Sequence, residues 1–599
     1  MKDETIPLRK DIPAEYKWDL TQLYKTDEEW EADLKKIPSL VKNFSSFKGR
    51  LSESSSIFLE ALKADEALDR QIEKVYHYAS LNNEADQGDS AAQEKYSRVM
   101  MAYTAACSET SFFTPELLAI PDEKINSWIE HPEFKDYKIY IQKALHAKPH
   151  ILSEKEERIM ALQSESGQTA SNVFSLLNDV DMNFGTVEVE GKQLPLTHST
   201  WSDFEENQDR KIRKEAYEKF YGAFESHANT LAALYSGSVK NDIFHARARG
   251  YNSSLEAALY GDKVPVSVYK NLIETVHKNL DTLHRYYKIR RKVLGVEELR
   301  HYDVYVPLVK SIKSKISYDE SVEIVRNALA VLGNEYTDTL CGGLKGGWVD
   351  RFENKGKNSG AFSSGCYEGY PYILLNYKDT SLRDVYTMAH EGGHSMHSWY
   401  SVRNNPFMSY EYTIFEAEVA STFNEELVFE YLLKNAKDHE MKKYLLSMRA
   451  NDILATLHRQ TMFAEFELKC HEAVENNEPL STEAIRSIYR KLLEQYFGPA
   501  MKFEKSSDME GLRIPHFYNA FYVYKYSTGI SAALALAKRV VNGGKQEHED
   551  YFKFLKSGGS RYPIESLKVA GVNMESTEPV QAALDTFKDL VDQLEEELL

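Results

Sequence analysis

The sequence predicts a mainly α protein, and three observations predict it. Apolar residues return with a 3.6-residue period along most of the chain. Strand-like alternation is confined to two short stretches, 182–196 and 365–379. Only 17 prolines and no Pro-, Ser- or Gly-rich tract interrupt the 599 residues, so the helices belong to closely packed lobes rather than to beads on linkers. With 42% hydrophobic residues, the chain is able to bury more than one core.

The elements follow in order. TDEEWEADLKKIPSLVKNF at 26–44 opens the helical patterning, which continues to about residue 200 and defines an N-terminal helical lobe, 1–200. MNFGTVEVEGKQLPL at 182–196 alternates on either side of Glu190-Gly191, the pattern of a β-hairpin. VSVYKNLIETVHKNLDTLHRYYKIRRKVLG at 266–295 predicts a long helix whose basic run, Arg285 to Lys292, is a solvated face. GCYEGYPYILLNYKD at 365–379 has aromatic and branched residues from Tyr370 to Tyr377 and predicts a strand. PVQAALDTFKDLVDQLEEELL at 579–599 closes the chain as a helix.

Composition removes several function classes. The formal net charge of −19 argues against nucleic acid as a partner, because phosphate binding needs a basic footprint. No stretch approaches the ~20 apolar residues that span a bilayer, and MKDETIPLRKDIPAEYKWDL has no apolar core of a signal peptide. The cysteines, at 107, 341, 366 and 470, lie far apart and outside any metal-ligand spacing. A cytoplasmic protein without a membrane partner is expected, with Cys366 read as a core thiol rather than a residue of the cleft.

The run YTMAHEGGHSMHSWY at 386–400 carries the chemistry. Asp379, Thr380 and Ser381 offer N-cap side chains, and Asp384 follows Ser381 by three, as in a capping box. Val385, Met388, Ala389, Gly392, Met396 and Trp399 repeat at helical spacing and are expected to face the core. His390 and His394 are four apart, so they stand one above the other, where two imidazoles close on one zinc ion at about 2.0–2.1 Å each. Glu391, beside His390, reaches a water on that ion as the general base of the H-E-x-x-H pattern. Gly392 and Gly393 each cost a helix about 1 kcal/mol against alanine. A close approach beside the metal, by a neighbouring backbone or a bound peptide, explains them.

A catalytic zinc keeps three protein ligands and one open position. His397 shares the face of His390 but lies seven residues on, roughly 10 Å along the axis. Ligand atoms on one zinc are only about 3–3.5 Å apart, so His397 is expected outside the ligand set, facing substrate. A metzincin would have glycine at 397 and histidine at 400; His397 and Tyr400 exclude that class. The next helical run, SYEYTIFEAEVASTFNEELVFEYLL at 409–433, repeats glutamate at 411, 418 and 425 on one face with Ser421. Glu416 points about 200° away from Glu418. Glu418 follows His394 by 24 residues, room for a loop and a returning helix, whereas Glu425 and Glu426 read equally well as a solvated face.

HEGGH followed by FEAEVASTFNE resembles the thimet oligopeptidase superfamily of zinc metallopeptidases, and within it the bacterial oligoendopeptidase F branch. YKWDLTQLY, NDVDMNFGTVEV, HYDVYVPLV, KNSGAFSSG and IPHFYNAFYVYKYSTGISAALALA extend the resemblance along essentially the whole chain. It implies one zinc per chain, held by His390, His394 and Glu418, with Glu391 as base. Glu418 opens the family pattern E-x-x-S-x-x-x-E, which Ser421 and Glu425 complete. It also implies a later segment, HFYNAFYVYKYS, that holds substrate and stabilises the tetrahedral intermediate. There His516 and Tyr524 take catalytic roles, Tyr524 at the oxyanion-facing position, with Tyr522 and Tyr526 as substrate-binding neighbours.

The implied fold is zincin-type, with two helical lobes around a deep channel and a small β element beside the active site. Residues 201–599 would then form the zinc-binding catalytic lobe. Such a channel admits short unfolded peptides, hence an oligoendopeptidase cutting internal bonds, and the strand Tyr372–Tyr377 is expected to pair with an extended substrate. Two other functions compete. A gluzincin-type aminopeptidase would need a G-x-M-E-N-like segment, which the sequence lacks. A non-enzymatic peptide-binding protein would have lost a ligand or the base, and all four are present.

Overall fold

The computed structural model describes residues 6–310, 312 and 315–599. The expected helices form, trimmed where local chemistry intervenes. The 26–44 run becomes two helices, Asp27–Leu34 and Ile37–Ser45, because Pro38 fits the first turn of a helix but not its interior. The 266–295 run divides into Val266–Lys278 and Leu280–Val293 at Asn279, whose backbone leaves the helical region at φ −116° and ψ 11°. Its basic face is not wholly solvated, since Arg290 is buried and donates to the Asp303 carbonyl at 2.9 Å. The last run is a single helix, Glu578–Leu598. The hairpin pairs Val189 with Lys192, and Glu190 and Gly191 both take positive φ, 52° and 77°, as a type I′ turn requires.

The chain forms two compact units, each assembled from three stretches. The first comprises Met1–Pro149, Lys313–Leu432 and Leu536–Val572; the second comprises His150–Ile312, Leu433–Ala535 and Asn573–Leu599. The boundary expected at residue 200 therefore falls near 150, and residues 201–599 are not one lobe. Long-range burial is the physical reason. Cys366, Tyr372 and Leu374 belong to the same apolar core as Trp18, Trp30 and Phe58, which draws a middle stretch of chain onto the N-terminal helices.

In the first unit the longest helix is α1, Ser55–Ala85, capped by the Ser54 hydroxyl accepting from the Ile57 amide at 3.2 Å. Three short strands follow: β1 (Val349–Asp350), β2 (Phe362–Ser364) and β3 (Tyr372–Leu374), in the order β1-β3-β2. β3 is central, parallel to β1 and antiparallel to β2. Beyond it the Leu375 and Tyr377 amides still bond the β1 side, to the Asp350 and Arg351 carbonyls. Both sides of Tyr372–Leu374 and one side of Leu375 and Tyr377 are thus occupied, which corrects the expectation for most of that stretch and leaves β2 as an edge.

The sheet supports helix α2, Leu382–Asn404, through Ser395, whose hydroxyl lies 2.8 Å from that of Ser363 and donates to the Pro371 carbonyl at 3.2 Å. The capping box expected at its start does not form. Ser381 is the N-cap without a side-chain bond, and Asp384 instead accepts from the Lys378 amide at 2.6 Å. A loop then leads into α3, Ile414–Lys434. In the second unit α4, Gln460–Glu475, packs near a short turn, Pro515–Tyr518, and α5, Tyr524–Asn542, begins there, its residues from Leu536 on being counted in the first unit.

Candidate active site

α2 and α3 cross at their small residues. A Cβ on Gly393 would lie 2.5 Å from the Ala420 carbonyl oxygen and 2.6 Å from Ser421 Cα. At Gly392 it would meet only the Leu340 side chain, at 3.1 Å. The space cleared by the paired glycines is therefore filled by the protein itself, chiefly by the backbone of α3 at Gly393. Asn424 locks the crossing by donating to the Ala389 carbonyl at 3.1 Å while accepting from the Tyr336 hydroxyl at 3.2 Å.

That close approach brings Glu418 onto the histidine pair. His390 Nε2 lies 3.2 Å from His394 Nε2 and 3.3 Å from Glu418 Oε2, and His394 Nε2 lies 3.5 Å from the same oxygen. The three atoms lie on a circle of about 1.9 Å radius, so an ion with ligand distances of about 2.0–2.2 Å fits just off their plane. Nitrogen, nitrogen and oxygen donors suit zinc. Among the described residues this is the group of three able to hold a metal ion.

The neighbours set the charge. His390 Nδ1 bonds Glu425 Oε1 at 3.0 Å, which fixes the ring and leaves Nε2 turned to the triangle. Ser421 donates to Glu418 Oε2 at 3.1 Å. Burial alone would lower the His390 pKa, but the hydrogen bonds to Glu418 and Glu425 hold it well above the ordinary imidazole value. Burial would raise Glu418, yet the same bonds to His390 and His394 depress its carboxyl far below the usual range. The site is built to stabilise positive charge. Glu391 is buried, and burial first raises its pKa, with His390 and His394 opposing.

A cleft of about 510 Å³ opens over this group, lined by the edge residues Phe362 and Ser363, by Glu391, and by Tyr410, Glu411 and Tyr412. His397 is absent from it. Its ring is fully buried, stacked on Tyr412 with centroids 3.7 Å apart, and neither ring nitrogen has a hydrogen-bond partner among the described residues. Burial, with His394 second, lowers its pKa to about 3. The substrate-facing role expected of His397 is thereby corrected, since seven residues of rise carry it past the cleft and into the core. Glu411 precedes α3 rather than riding on it, and Glu416 is buried on the far side as expected. Cys366 is buried in the core, its thiol pushed up by burial.

The second unit holds the later segment. His516 is exposed and Tyr522 and Tyr526 are half-buried, with ring centroids 6.3 Å (516–522), 6.2 Å (516–526) and 5.5 Å (522–526) apart. Tyr524 turns the other way. It is fully buried with its ring 5.1 Å from Tyr269, and burial raises its phenol pKa. Sequence reasoning undervalued Glu425 and passed over Tyr412. The repeat of Glu418 and Glu425 at one heptad was the available signal for the former, whereas nothing local marked the latter.

The model of peptidase family M3 matches residues 204–586, and that of oligopeptidase F matches residues 116–184. An oligoendopeptidase F homolog of Borreliella burgdorferi is 44% identical over 97% of this chain and 98% of its own length. A crystal structure of a Chlamydophila abortus protein superposes with a TM-score of 0.94 at 36% identity, covering 99% of this chain and 100% of that one. The crystal structure of oligoendopeptidase-F from Enterococcus faecium gives 0.72 at 32% identity, covering 96% of this chain and all of that one. No helix among the described residues is long and apolar enough to cross a membrane. Two helices that cross at glycine distance and bring together a group able to hold a metal ion, and a family match that runs through both of them, lead to one conclusion: the chain is a metallo-oligopeptidase of peptidase family M3, on the oligoendopeptidase F branch.

Proposed function

We propose that the protein cuts internal bonds of short, unfolded peptides in the cytoplasm, with one zinc ion held by His390, His394 and Glu418. The observation that carries this reading is the triangle of Nε2, Nε2 and Oε2 atoms 3.2–3.5 Å apart. Zinc bound there supplies Lewis acidity and brings the pKa of a water toward neutrality. Glu391, buried on the cleft wall with a raised pKa, takes the proton of the attacking water and returns it to the departing amine. Glu425 keeps His390 oriented throughout. The edge of β2, which pairs with β3 alone among the described residues, receives the extended substrate by strand addition.

His516 and its tyrosine neighbours hold substrate and donate to the oxygen that turns anionic. Within that cluster the hydroxyls of Tyr522 and Tyr526 are the candidates in preference to Tyr524, because Tyr524 is packed into the core. An internally quenched peptide blocked at its N-terminus tests the whole reading. Cleavage that stops on chelation and in Glu391→Gln is expected, with kcat falling by at least about 10³-fold while metal stays bound. An intact blocked peptide would favour an aminopeptidase, and binding without turnover a peptide-binding protein.

A further inference from the structure

The chain bends sharply between His516 and Tyr522, and the bend turns on one residue. Phe521 has φ 58°, a left-handed conformation that a bulky side chain adopts only under constraint. Glycine and asparagine fill such positions without strain, and neither is present here. The phenyl ring is 2% exposed, with His471 at 4.5 Å and Tyr269 at 5.8 Å between centroids.

Its amide is held from below. Phe521 N–H donates to Glu467 Oε1 at 3.0 Å, and Glu467, on α4, is fully buried. The other carboxyl oxygen, Oε2, has no hydrogen-bond partner among the described residues. The Glu467 side chain thus makes a single directed bond, to the strained amide. Nearby acids bring it no positive charge: Asp242, Tyr235, Tyr269 and Cys470 all interact with it. Burial first holds its pKa well above the ordinary carboxylate value, with the Phe521 amide opposing and Asp242 adding to the rise. His471, one turn along α4, is pinned by the Glu467 carbonyl at 2.8 Å and by Asp242 at 3.2 Å, so the seat under Phe521 is itself rigid.

On each side of the bend the backbone of a candidate functional residue is itself hydrogen-bonded. The His516 carbonyl accepts from the Asn519 amide at 2.9 Å, and the Tyr522 carbonyl accepts from the Lys525 amide at 3.1 Å as α5 begins. We propose that Glu467 is a positioning residue that pins Phe521 in its left-handed conformation and thereby sets His516 against Tyr522 and Tyr526 for catalysis. This rests on the proposed role of those three side chains. A misplacement of about 1 Å at such groups costs up to about 10²-fold in rate.

The test compares Glu467→Gln, whose amide oxygen still accepts from Phe521, with Glu467→Leu, which has no acceptor. Glu467→Asp, whose acceptor is withdrawn by one methylene, replaces the leucine variant should that fail to fold. Each is measured alone and in a His516→Ala/Tyr522→Phe/Tyr526→Phe background, with kcat and KM on a quenched peptide, metal content, and amide exchange at Phe521. Glu467→Leu or Glu467→Asp is expected to lower kcat at least tenfold with KM within threefold, full metal, and faster Phe521 exchange. Glu467→Gln should stay within threefold of the parent. In the triple background the loss should vanish. An undiminished kcat without the acceptor, an equal loss in Glu467→Gln, or a loss carried unchanged into the triple background overturns the proposal. A triple variant that itself keeps full activity overturns instead the role assigned to His516 and the tyrosines, and the positioning proposal with it.

Discussion

Gly393→Ala tests how closely metal affinity depends on the helix crossing. The added Cβ would stand 2.5 Å from the Ala420 oxygen, and real contacts of this kind begin at 3.0–3.4 Å. The obstacle is backbone, so no side chain can swing aside, and α3 must retreat by about 0.5–0.9 Å, the difference between those distances. Glu418 sits three residues before Ser421 on the same helix and moves with it. Gaps of 3.3 and 3.5 Å to the two imidazoles then open toward about 4 Å. One ion with ligand distances of about 2.0–2.2 Å bridges such gaps only by flattening toward linearity. Overpacking costs about 1–3 kcal/mol, against which alanine regains about 1 kcal/mol of helix propensity. The metal-free protein should therefore lose no more than about 2 kcal/mol of stability, while metal affinity falls by about 10–100-fold, the range seen when ligand support is disturbed. Competition with a chromophoric chelator reads the affinity, and thermal melts of the metal-free protein read the stability. Gly392→Ala, which meets only the movable Leu340 side chain, is the control and should keep its affinity. If Gly393→Ala binds metal as tightly as the parent and melts higher, the close crossing does not set the ligand geometry.

Three further outcomes follow from the same coordinates. Glu425→Ala frees His390 Nδ1 and should weaken metal binding about 10–100-fold by chelator competition, with Glu391 and the cleft intact; unchanged affinity would make Glu425 a bystander. His397→Phe replaces a buried ring without hydrogen bonds by one of similar shape, so kcat/KM should stay within about threefold and Tm should hold or rise; a tenfold activity loss would restore a functional role. Glu73, half-buried on α1 and accepting from Tyr410 and the Tyr367 amide, has its pKa raised to about 7, by desolvation first. A carboxyl raised in the folded state gives stability that is full below its unfolded pKa and lost as pH rises through the folded one. Between about pH 4.5 and 7 the parent should accordingly lose on the order of 1–3 kcal/mol that Glu73→Gln keeps, as denaturant midpoints across that window will tell.

Much of the site was legible because its rules are local. A spacing of four places two histidines on one face, and a rise of 1.5 Å per residue removes His397 from the ligands before any fold is known. The Glu190-Gly191 turn was equally readable, because its backbone angles are a property of two residues. What stayed hidden depends on distant partners. Gly393 announces that something comes close, but only the fold says that it is Ala420 and Ser421 rather than substrate. The stretch from Tyr372 to Tyr377 reads as a strand, yet its central place, with β1 on one side and β2 on the other, depends on residues that carry almost no strand pattern themselves. The unit boundary was hidden for the same reason, since three separated stretches share each core. Tyr524 shows the limit most sharply. Its position in the motif matches the family's oxyanion-facing tyrosine, but helix α5 starts at that residue, after a left-handed turn at Phe521 that no periodicity predicts. A turn of that kind rotates everything downstream of it. With the Phe521 amide bonded to Glu467, 54 residues earlier, Tyr524 is buried while Tyr522 and Tyr526 are half-buried, an arrangement that the spacing of the tyrosines does not announce.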